Sequence, residues 1–336
     1  MTGFASGPYT LSVIAETGEE FTDFSPYVAA IDERGTVAFS AALTTGGSGV
    51  FRGEGGPVTT VANSASGGFR TVCSHPDISS AGSICFYAEN EEGAPALFVA
   101  QEGGLAALSD SAGPLGPTMN ETGAVAFRAP LPAGGSRILT SHAGIATMVA
   151  DTSGMFSGFH GLPVIDGGGC VTFRADCTAG GEGIYRSGGN HFEAVVETGD
   201  RFSSLGFFPF ANDEGTVAFC AELRSSRAGV HTASAGEVTT VIDTNGPFES
   251  FRGALLTAAG ALVFYATPRG GELGIFVGPD PGHDCLLSVG SPLAGSTVAG
   301  FALNPVSINR AGQLAIRVAL QNGRQLILRA DPAIPA

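Results

Sequence analysis

The stretch Asn212-Asp213-Glu214-Gly215-Thr216-Val217-Ala218-Phe219 decides the fold, because its pattern returns seven times along the chain. The seven copies align on glycines that lie 41 to 52 residues apart: Gly35, Gly82, Gly123, Gly169, Gly215, Gly260 and Gly312. A residue able to cap a turn stands three positions before each of them: Asp32, Ser79, Asn120, Asp166, Asn212, Thr257 and Asn309. Repetition at such a period is typical of proteins built from one small structural unit.

Each repeat predicts a tight turn followed by a β-strand. Glycine adopts the positive φ that closes a short hairpin, and the Asn, Asp, Ser or Thr side chain caps the same turn. Apolar residues follow two, four and six positions after the glycine, and they share one face of a strand because side chains alternate. The fourth position is Phe in six repeats and Ile316 in the last.

Two more strands follow in most repeats, as in 49–51 and 58–62, and a short apolar segment precedes the turn. Four antiparallel strands in each of seven repeats predict an all-β fold, a single-domain seven-bladed β-propeller, with an open solenoid as the competing architecture. The predicted blade limits are 27–63, 72–110, 116–151, 162–197, 208–243, 253–289 and 304–330. The last repeat lacks a fourth strand, and we expect residues 9–15 to complete blade 7 and close the ring.

Residues 120–127 and 212–219 match the pattern Asn-x-x-Gly-x-Val-Ala-Phe in full, and the other five copies match it in part. The repeat resembles a bacterial family of uncharacterised proteins built from tandem units of this kind. Its ring closure is similar to that of WD-repeat propellers. The resemblance covers nearly the whole chain, and it implies the propeller architecture but no activity.

The charge excludes some partners. The formal net charge is −15, whereas nucleic acids and anionic membrane surfaces bind basic proteins. No run of about 18 apolar residues, the length needed to cross a bilayer, occurs in the sequence. Residues 1–20 lack the basic and apolar regions of a signal peptide. We therefore expect a cytoplasmic protein that binds neither nucleic acid nor membrane.

No metal site or cofactor is predicted. The six cysteines stand at unequal repeat positions without a Cys-x-x-Cys pair, which is typical of buried free thiols: Cys73, Cys85, Cys170, Cys177, Cys220 and Cys285. An acid or amide follows the fourth strand in most repeats: Glu16, Asn63, Asp110, Asp151, Glu197 and Asp243. We interpret these residues as turn caps, and a cation-binding ring of carboxylates is the alternative.

The loops between blades carry the first group of candidate binding residues. Propellers usually bind ligands at the end where these loops meet the channel, an expectation from fold analogy. Aromatic, His and Arg side chains there predict ligand contacts: Arg70, His75, His160, Phe207, Phe208 and Arg252. The alternative for the phenylalanines is that they fill the gaps between blades.

A second group comes from the fifth position after each repeat glycine, which varies while its neighbours stay constant. Five of its occupants are large and polar, and we predict that they contact a ligand: Tyr87, Arg128, Arg174, Tyr265 and Arg317. Two neighbouring guanidinium groups, Arg128 and Arg174, could bind a carboxylate such as a peptide C-terminus. The alternative is an ion pair between blades with an acid such as Asp110 or Asp151.

The sequence contains no Gly-x-Ser-x-Gly, His-Glu-x-x-His, P-loop or dinucleotide-binding motif. We therefore favour a non-catalytic protein that holds a small molecule or short peptide, such as a peptide natural product, at the channel mouth. One alternative is a propeller lyase or hydrolase that uses His75 or His160 with an arginine as electrophilic partner. Another is a protein-interaction platform, which predicts an exposed apolar patch on one face.

Overall fold

The computed structural model describes residues 3–102, 104–188 and 191–333. In this part of the chain seven antiparallel sheets form the blades of a seven-bladed β-propeller, which confirms the predicted fold class. The helices described there are two single 3₁₀ turns, Ser64–Ser66 and Pro305–Ser307.

The strands of the first three blades are given from the channel outward. Blade 1 contains Phe21–Asp23 with Ala30–Ile31, then Val37–Leu43, Ser48–Gly53 and Thr59–Asn63. Blade 2 contains Thr71–Val72 with Asp77–Ile78, then Ile84–Glu89, Pro95–Gln101 and Gly104–Ser109. Blade 3 contains Thr118–Met119, Val125–Pro130, Ser136–His142 and Ile145–Asp151.

The remaining blades follow the same order. Blade 4 contains Phe156–Ile165, Val171–Cys177, Glu182–Gly188 and His191–Glu197. Blade 5 contains Phe202–Leu205 with Phe210–Ala211, then Val217–Leu223, Ala228–Ser234 and Glu237–Asp243. Blade 6 contains Phe248–Leu256, Leu262–Pro268, Gly274–Phe276 and Cys285–Ser288. Blade 7 contains Ser296–Ala302, Leu314–Leu320, Gln325–Pro332 and Tyr9–Glu16, flanked by Pro292–Leu293 and Gly3–Ser6.

The N-terminal strand closes the ring as predicted. Tyr9–Glu16 pairs antiparallel with Gln325–Pro332, with Leu11 opposite Ala330. The Tyr9 hydroxyl also donates a hydrogen bond to the Gly312 carbonyl at 3.1 Å. The first and last segments of the chain therefore share one sheet, and no blade is left incomplete.

Aromatic side chains fill the interior of most blades. In blade 1 Phe21, Phe39 and Phe51 come from the first, second and third strands, and the Phe21 and Phe51 ring centroids lie 4.9 Å apart. Blades 2, 4 and 6 repeat this cluster with Phe or Tyr in the third strand. Blade 5 places His231 there, fully buried between Phe202 and Phe219.

The two ends of the channel differ in construction. The turn face carries the seven Gly turns between first and second strands. The predicted side chain caps six of them, but the Ser79 hydroxyl in blade 2 is buried without a hydrogen-bond partner among the described residues. The loop face carries the connections between blades. Near the loop face the first strands are interrupted or bulged, and we call these irregular segments the inserts: 24–29, 73–76, 111–117, 161–163, 206–209, 252–253 and 303–307. An insert leaves the regular ladder, so its backbone groups need partners outside its own sheet.

Amide side chains join the blades at the turn face. The Asn120 Nδ2 donates to the Asp166 carbonyl at 3.0 Å, and the Asn309 Nδ2 donates to the Asp32 carbonyl at 2.9 Å. Each Oδ1 meanwhile caps its own turn by accepting from the backbone N–H four residues later. Asn120 and Asn309 therefore each stabilise a turn in their own blade and a contact with the next blade. The contact of Asn309 connects blade 7 to blade 1.

Candidate functional site

The turn-face mouth of the channel encloses a cavity of about 460 Å³ with acidic side chains at its rim. These carboxylates accept hydrogen bonds from the backbone of the preceding blade. Glu121 accepts from the Ser80 N–H at 2.9 Å, and Asp213 accepts from the Gly167 N–H at 2.6 Å. The same contact joins blades 2 and 3 and blades 4 and 5. We therefore interpret the acidic side chains at the rim as part of the structure of the ring.

Two further groups complete this mouth. The Arg310 Nη1 lies 2.9 Å from the Asp213 Oδ2, which links blade 7 to blade 5. Asp77 lies buried in the channel wall, and its carboxylate accepts from the Met119 N–H at 2.6 Å and the Ile78 N–H at 2.8 Å. Burial raises the pKa of Asp77 to about 8. These charged groups of the turn face therefore have partners, whereas the buried Ser79 hydroxyl there has none within the described ranges.

At the loop face of four blades, the side chain at the fifth position after the repeat glycine forms a hydrogen bond with the insert of the next blade. Ser40 donates to the Ser74 carbonyl at 3.1 Å, and Tyr265 donates to the Leu303 carbonyl. The Arg128 and Arg317 guanidinium groups reach the Gly161 and Pro26 carbonyls at 3.5 and 3.4 Å. These contacts explain why the position varies, because each side chain fits a different insert.

Arg174 is fixed by a buried ion pair. Its Nη2 contacts the Glu182 Oε2, and the other Glu182 oxygen accepts from the Leu205 N–H in blade 5 at 2.6 Å. The guanidinium carbon also lies 5.1 Å from the centre of the Phe207 ring. Its Nε and Nη1 are buried without a partner. The pair involves neither Asp110 nor Asp151, the acids that the sequence suggested.

His160 and Arg174 are direct neighbours across the first two strands of blade 4. The His160 Nε2 lies 2.7 Å from the Asp176 Oδ2, and both side chains are partly exposed. The ring of Phe207 is 6.2 Å from the imidazole. Three predicted site residues, Phe207 among them, thus meet at the cleft between blades 4 and 5.

Three other predicted residues lie apart from this cleft. Tyr87 is fully buried, and its hydroxyl accepts from the Arg128 N–H at 3.3 Å. His75 is buried with its Nδ1 3.0 Å from the Pro76 carbonyl, and burial lowers its pKa to about 4. Arg70 is exposed in blade 2. Their assignment to a ligand site stays a prediction.

An apolar pocket of about 230 Å³ opens beside the inserts of blades 5, 6 and 7. Phe208, Tyr265 and Phe301 line it, and the last two rings stack with centroids 5.9 Å apart. Arg252 stands at the same pocket, exposed and without a hydrogen-bond or ion-pair partner among the described residues. Three predicted ligand contacts, Phe208, Arg252 and Tyr265, therefore share this pocket.

The sequence reasoning missed two residues of these sites. Asp176 stands two positions after Arg174, so alternation along the strand places both side chains on one face, and this spacing was available in the sequence. Leu303 lines the apolar pocket, and its carbonyl accepts from the Tyr265 hydroxyl. No sequence pattern marks Leu303, since its position depends on the insert of blade 7.

Three of the acids and amides that follow the fourth strands cap the turn after them, whereas Glu16 pairs with Arg324 and Glu197 accepts from the Tyr185 hydroxyl. Asn63 caps the turn at Ser66, and Asp151 and Asp243 accept from the N–H groups of Ser153 and Asn245. Within the described ranges no group of three or more His, Cys, Asp and Glu side chains could hold a metal ion. All six cysteines are unpaired thiols.

Comparison with known proteins identifies the fold but no relative. No family model matches the sequence, and no curated protein matches it. An oligogalacturonate lyase from Vibrio parahaemolyticus superposes with a TM-score of 0.58 at 11% identity, covering 97% of this chain and 98% of that one. An oligogalacturonate lyase in complex with manganese gives 0.62 at 9% identity, over 98% and 96% of the chains.

A third solved structure contains a similar propeller as part of a longer chain. A puromycin-hydrolysing peptidase from Mycobacterium tuberculosis has a TM-score of 0.55 at 11% identity, over 96% of this chain and 56% of the peptidase. Identities this low establish a shared fold only. Among the described residues, no helix is long and apolar enough to span a bilayer.

Proposed function

We propose that the protein binds a small molecule or short peptide whose apolar group enters the pocket beside Phe208, Tyr265 and Phe301. A carboxylate of the same ligand binds the Arg252 guanidinium. The observation that carries this proposal is the position of an exposed, unpartnered arginine at an apolar, aromatic-lined pocket. Ligand sites commonly combine apolar walls with a few polar groups that fix the orientation of the ligand.

The size of the pocket limits the ligand class. A volume of about 230 Å³ is smaller than the roughly 300 to 1,000 Å³ of typical small-molecule sites. It suits one aromatic or branched side chain rather than an extended cofactor. An arginine binds a carboxylate through two parallel hydrogen bonds. A C-terminal aromatic residue of a peptide, or an aromatic acid of that size, meets both requirements.

The composition of the protein offers a direct assay. The chain contains no tryptophan, so the fluorescence of a tryptophan ligand, excited where tyrosine does not absorb, reports only the ligand. We expect N-acetyltryptophan to bind about tenfold more tightly than N-acetyltryptophanamide, because a charged hydrogen bond contributes about 1.5 kcal/mol. Arg252→Ala should remove this difference, and Arg34→Ala, which replaces an exposed arginine of the turn face, should preserve it.

The assay has clear contrary outcomes. Equal affinity of the acid and the amide would exclude recognition of the carboxylate. If the Arg252→Ala variant still prefers the acid, the carboxylate of the ligand binds to a different part of the protein. A Phe208→Ala variant tests the apolar wall separately, and it should weaken both ligands to a similar extent.

A second candidate function rests on the hydrogen bond between His160 and Asp176. A carboxylate that orients one ring nitrogen leaves the other free to move a proton, which is the arrangement of a general base. Arg174, the cross-strand neighbour of His160, places a positive charge beside the imidazole, although its guanidinium is buried and paired with Glu182. His75 is less suited to this role because its ring is buried.

The lyases that share the fold provide the substrate for a test. If His160 acts as a base, the wild-type protein forms an unsaturated uronate from oligogalacturonate, detected by its ultraviolet absorbance. His160→Gln and Asp176→Asn should abolish this product, whereas the exposed His142→Gln should not. Absence of the product from the wild type, or its persistence in His160→Gln, would reject this function.

A further inference from the structure

The side chain of Arg52 faces blade 2 from the third strand of blade 1. Side chains alternate along a strand, so Arg52 shares a face with Val50. Val50 packs in one core cluster with Phe86 and Phe98 of blade 2. A Cβ atom on Gly82, also of blade 2, would lie 3.2 Å from the Arg52 Nη1. These contacts place the guanidinium in the cleft between blades 1 and 2.

The matched arginines of two other blades show what Arg52 lacks. Arg186 and Arg329 occupy the same position of the third strand, opposite the third residue after the repeat glycine. Arg186 pairs with Asp166, and the Arg329 Nε lies 3.0 Å from the Asp331 Oδ1. The exposed Arg52 side chain has neither an ion pair nor a hydrogen bond in the part of the chain that the structure describes. A structural ion pair therefore accounts for the other two arginines but not for Arg52.

The two acids of blade 1 that could neutralise Arg52 bind other groups. Asp32, at the position of the turn cap, accepts from the Thr36 N–H at 2.8 Å. Glu54, two residues after Arg52, accepts from the Thr36 hydroxyl at 3.0 Å. Neither carboxylate pairs with Arg52 within the described ranges. The guanidinium can therefore bind an anion that enters the cleft from solvent.

The cleft has the size and chemistry of a small-ligand site. Its volume is about 420 Å³, within the roughly 300 to 1,000 Å³ of typical small-molecule sites. Val61 and Leu105 line it, and both pack against the core cluster that the two blades share. Thr59, the cross-strand neighbour of Arg52, adds an exposed hydroxyl. Among the described lining residues Glu102 is the one acid, and its charge opposes a second negative charge on a ligand.

We infer that the cleft between blades 1 and 2 is a second binding site, which takes a small molecule with one carboxylate and an apolar part. The Arg52 guanidinium binds the carboxylate through two parallel hydrogen bonds. Val61 and Leu105 contact the apolar part. This site is separate from the pocket at Arg252, and its test does not depend on the function proposed above.

Benzoate and benzamide are suitable probes, because they have the same ring and differ in charge. The variant Arg252→Ala is the starting protein, so the charge of the first pocket does not contribute. In NMR titrations we expect benzoate to bind at least about tenfold more tightly than benzamide. Arg52→Gln should remove this preference, and Arg34→Gln, which changes another exposed arginine of blade 1, should preserve it. No binding of benzoate to the starting protein, or a preference that persists in Arg52→Gln, would overturn the inference.

A second pair of variants applies if Arg52→Gln does not fold. Thr59→Glu places a carboxylate beside the guanidinium, so the protein itself supplies the missing ion pair. Thr59→Gln has the same shape but no charge. We expect Thr59→Glu to bind benzoate at least about tenfold more weakly than Thr59→Gln does. Equal affinity of these two variants would contradict the placement of the ligand carboxylate at Arg52.

Discussion

The two ends of the channel use polar residues in opposite ways. At the turn face, Glu121 and Asp213 make the same kind of contact, each accepting an N–H from the blade before. At the loop face, Arg128, Arg174 and Arg317 occupy one repeat position but have different partners. A repeated contact stabilises the ring in every blade where it occurs. Where the contact differs from blade to blade, some polar side chains are left without a partner. These side chains are the candidates for binding a ligand.

The largest effect should follow from breaking the ion pair of the loop face. Glu182→Ala leaves the buried Arg174 without its anion, and we expect a loss of about 3 to 5 kcal/mol in the free energy of unfolding. The double variant Arg174→Met/Glu182→Leu should recover most of it, because an apolar pair needs no counter-charge. Urea denaturation followed by circular dichroism measures both.

The exposed Glu193 provides the control, since Glu193→Ala removes a carboxylate from the same blade. A similar small cost for Glu182→Ala and Glu193→Ala would show that the ion pair contributes little. The loop face would then have no polar contact as strong as those of the turn face.

A pH-dependent effect of about 3 kcal/mol is expected from His231, which replaces the third-strand aromatic of other blades. Burial lowers its pKa to about 4 in the folded protein, whereas the unfolded chain binds the proton near pH 6.5. The folded state thus binds fewer protons between these values, and its stability falls as the pH falls from about 6.5 to about 4. His231→Phe should lack this loss.

Denaturation midpoints of both proteins between pH 7 and pH 4 test this expectation. His142→Gln, which changes an exposed histidine, should follow the wild-type profile. A wild-type profile parallel to that of His231→Phe would mean that His231 does not titrate differently in the two states.

A smaller effect tests the repeated contact of the turn face. Asn120→Ala removes both the turn cap and the bond to blade 4, at an expected cost of about 2 kcal/mol. Asn120→Thr keeps a capping oxygen, as Thr257 does in blade 6, and should cost about 1 kcal/mol. Thermal denaturation gives the two values. Equal costs would show that the cap contributes nothing, and the absence of any cost in the variant that keeps the cap would show that the amide does not join the blades.

The repeat predicted the fold because every copy contains the same residues for a turn and for a buried strand. Gly215 closes a turn and Phe219 fills the blade, and both requirements hold wherever the copy lies. The partner of a loop-face residue cannot be predicted in this way, because it depends on a distant segment. Arg128 contacts an insert about 30 residues later, and no sequence motif specifies the conformation of that insert. The sequence thus predicted that the fifth position is special. It did not predict that Ser40 and Tyr265 bind backbone carbonyls there.

The smallest effect expected is that of Phe207, which lies over Arg174 although 60% of it is exposed. Because little apolar area is buried, its contribution should be mainly the cation–π contact, about 0.5 to 1 kcal/mol. Phe207→Leu keeps an apolar side chain and removes the aromatic face, so it should cost about 0.5 kcal/mol in denaturation experiments. In the Arg174→Met/Glu182→Leu background the same change should cost nothing, because no cation remains below the ring. An equal cost in both backgrounds would show that Phe207 stabilises the loop face through its own packing and not through the cation–π contact.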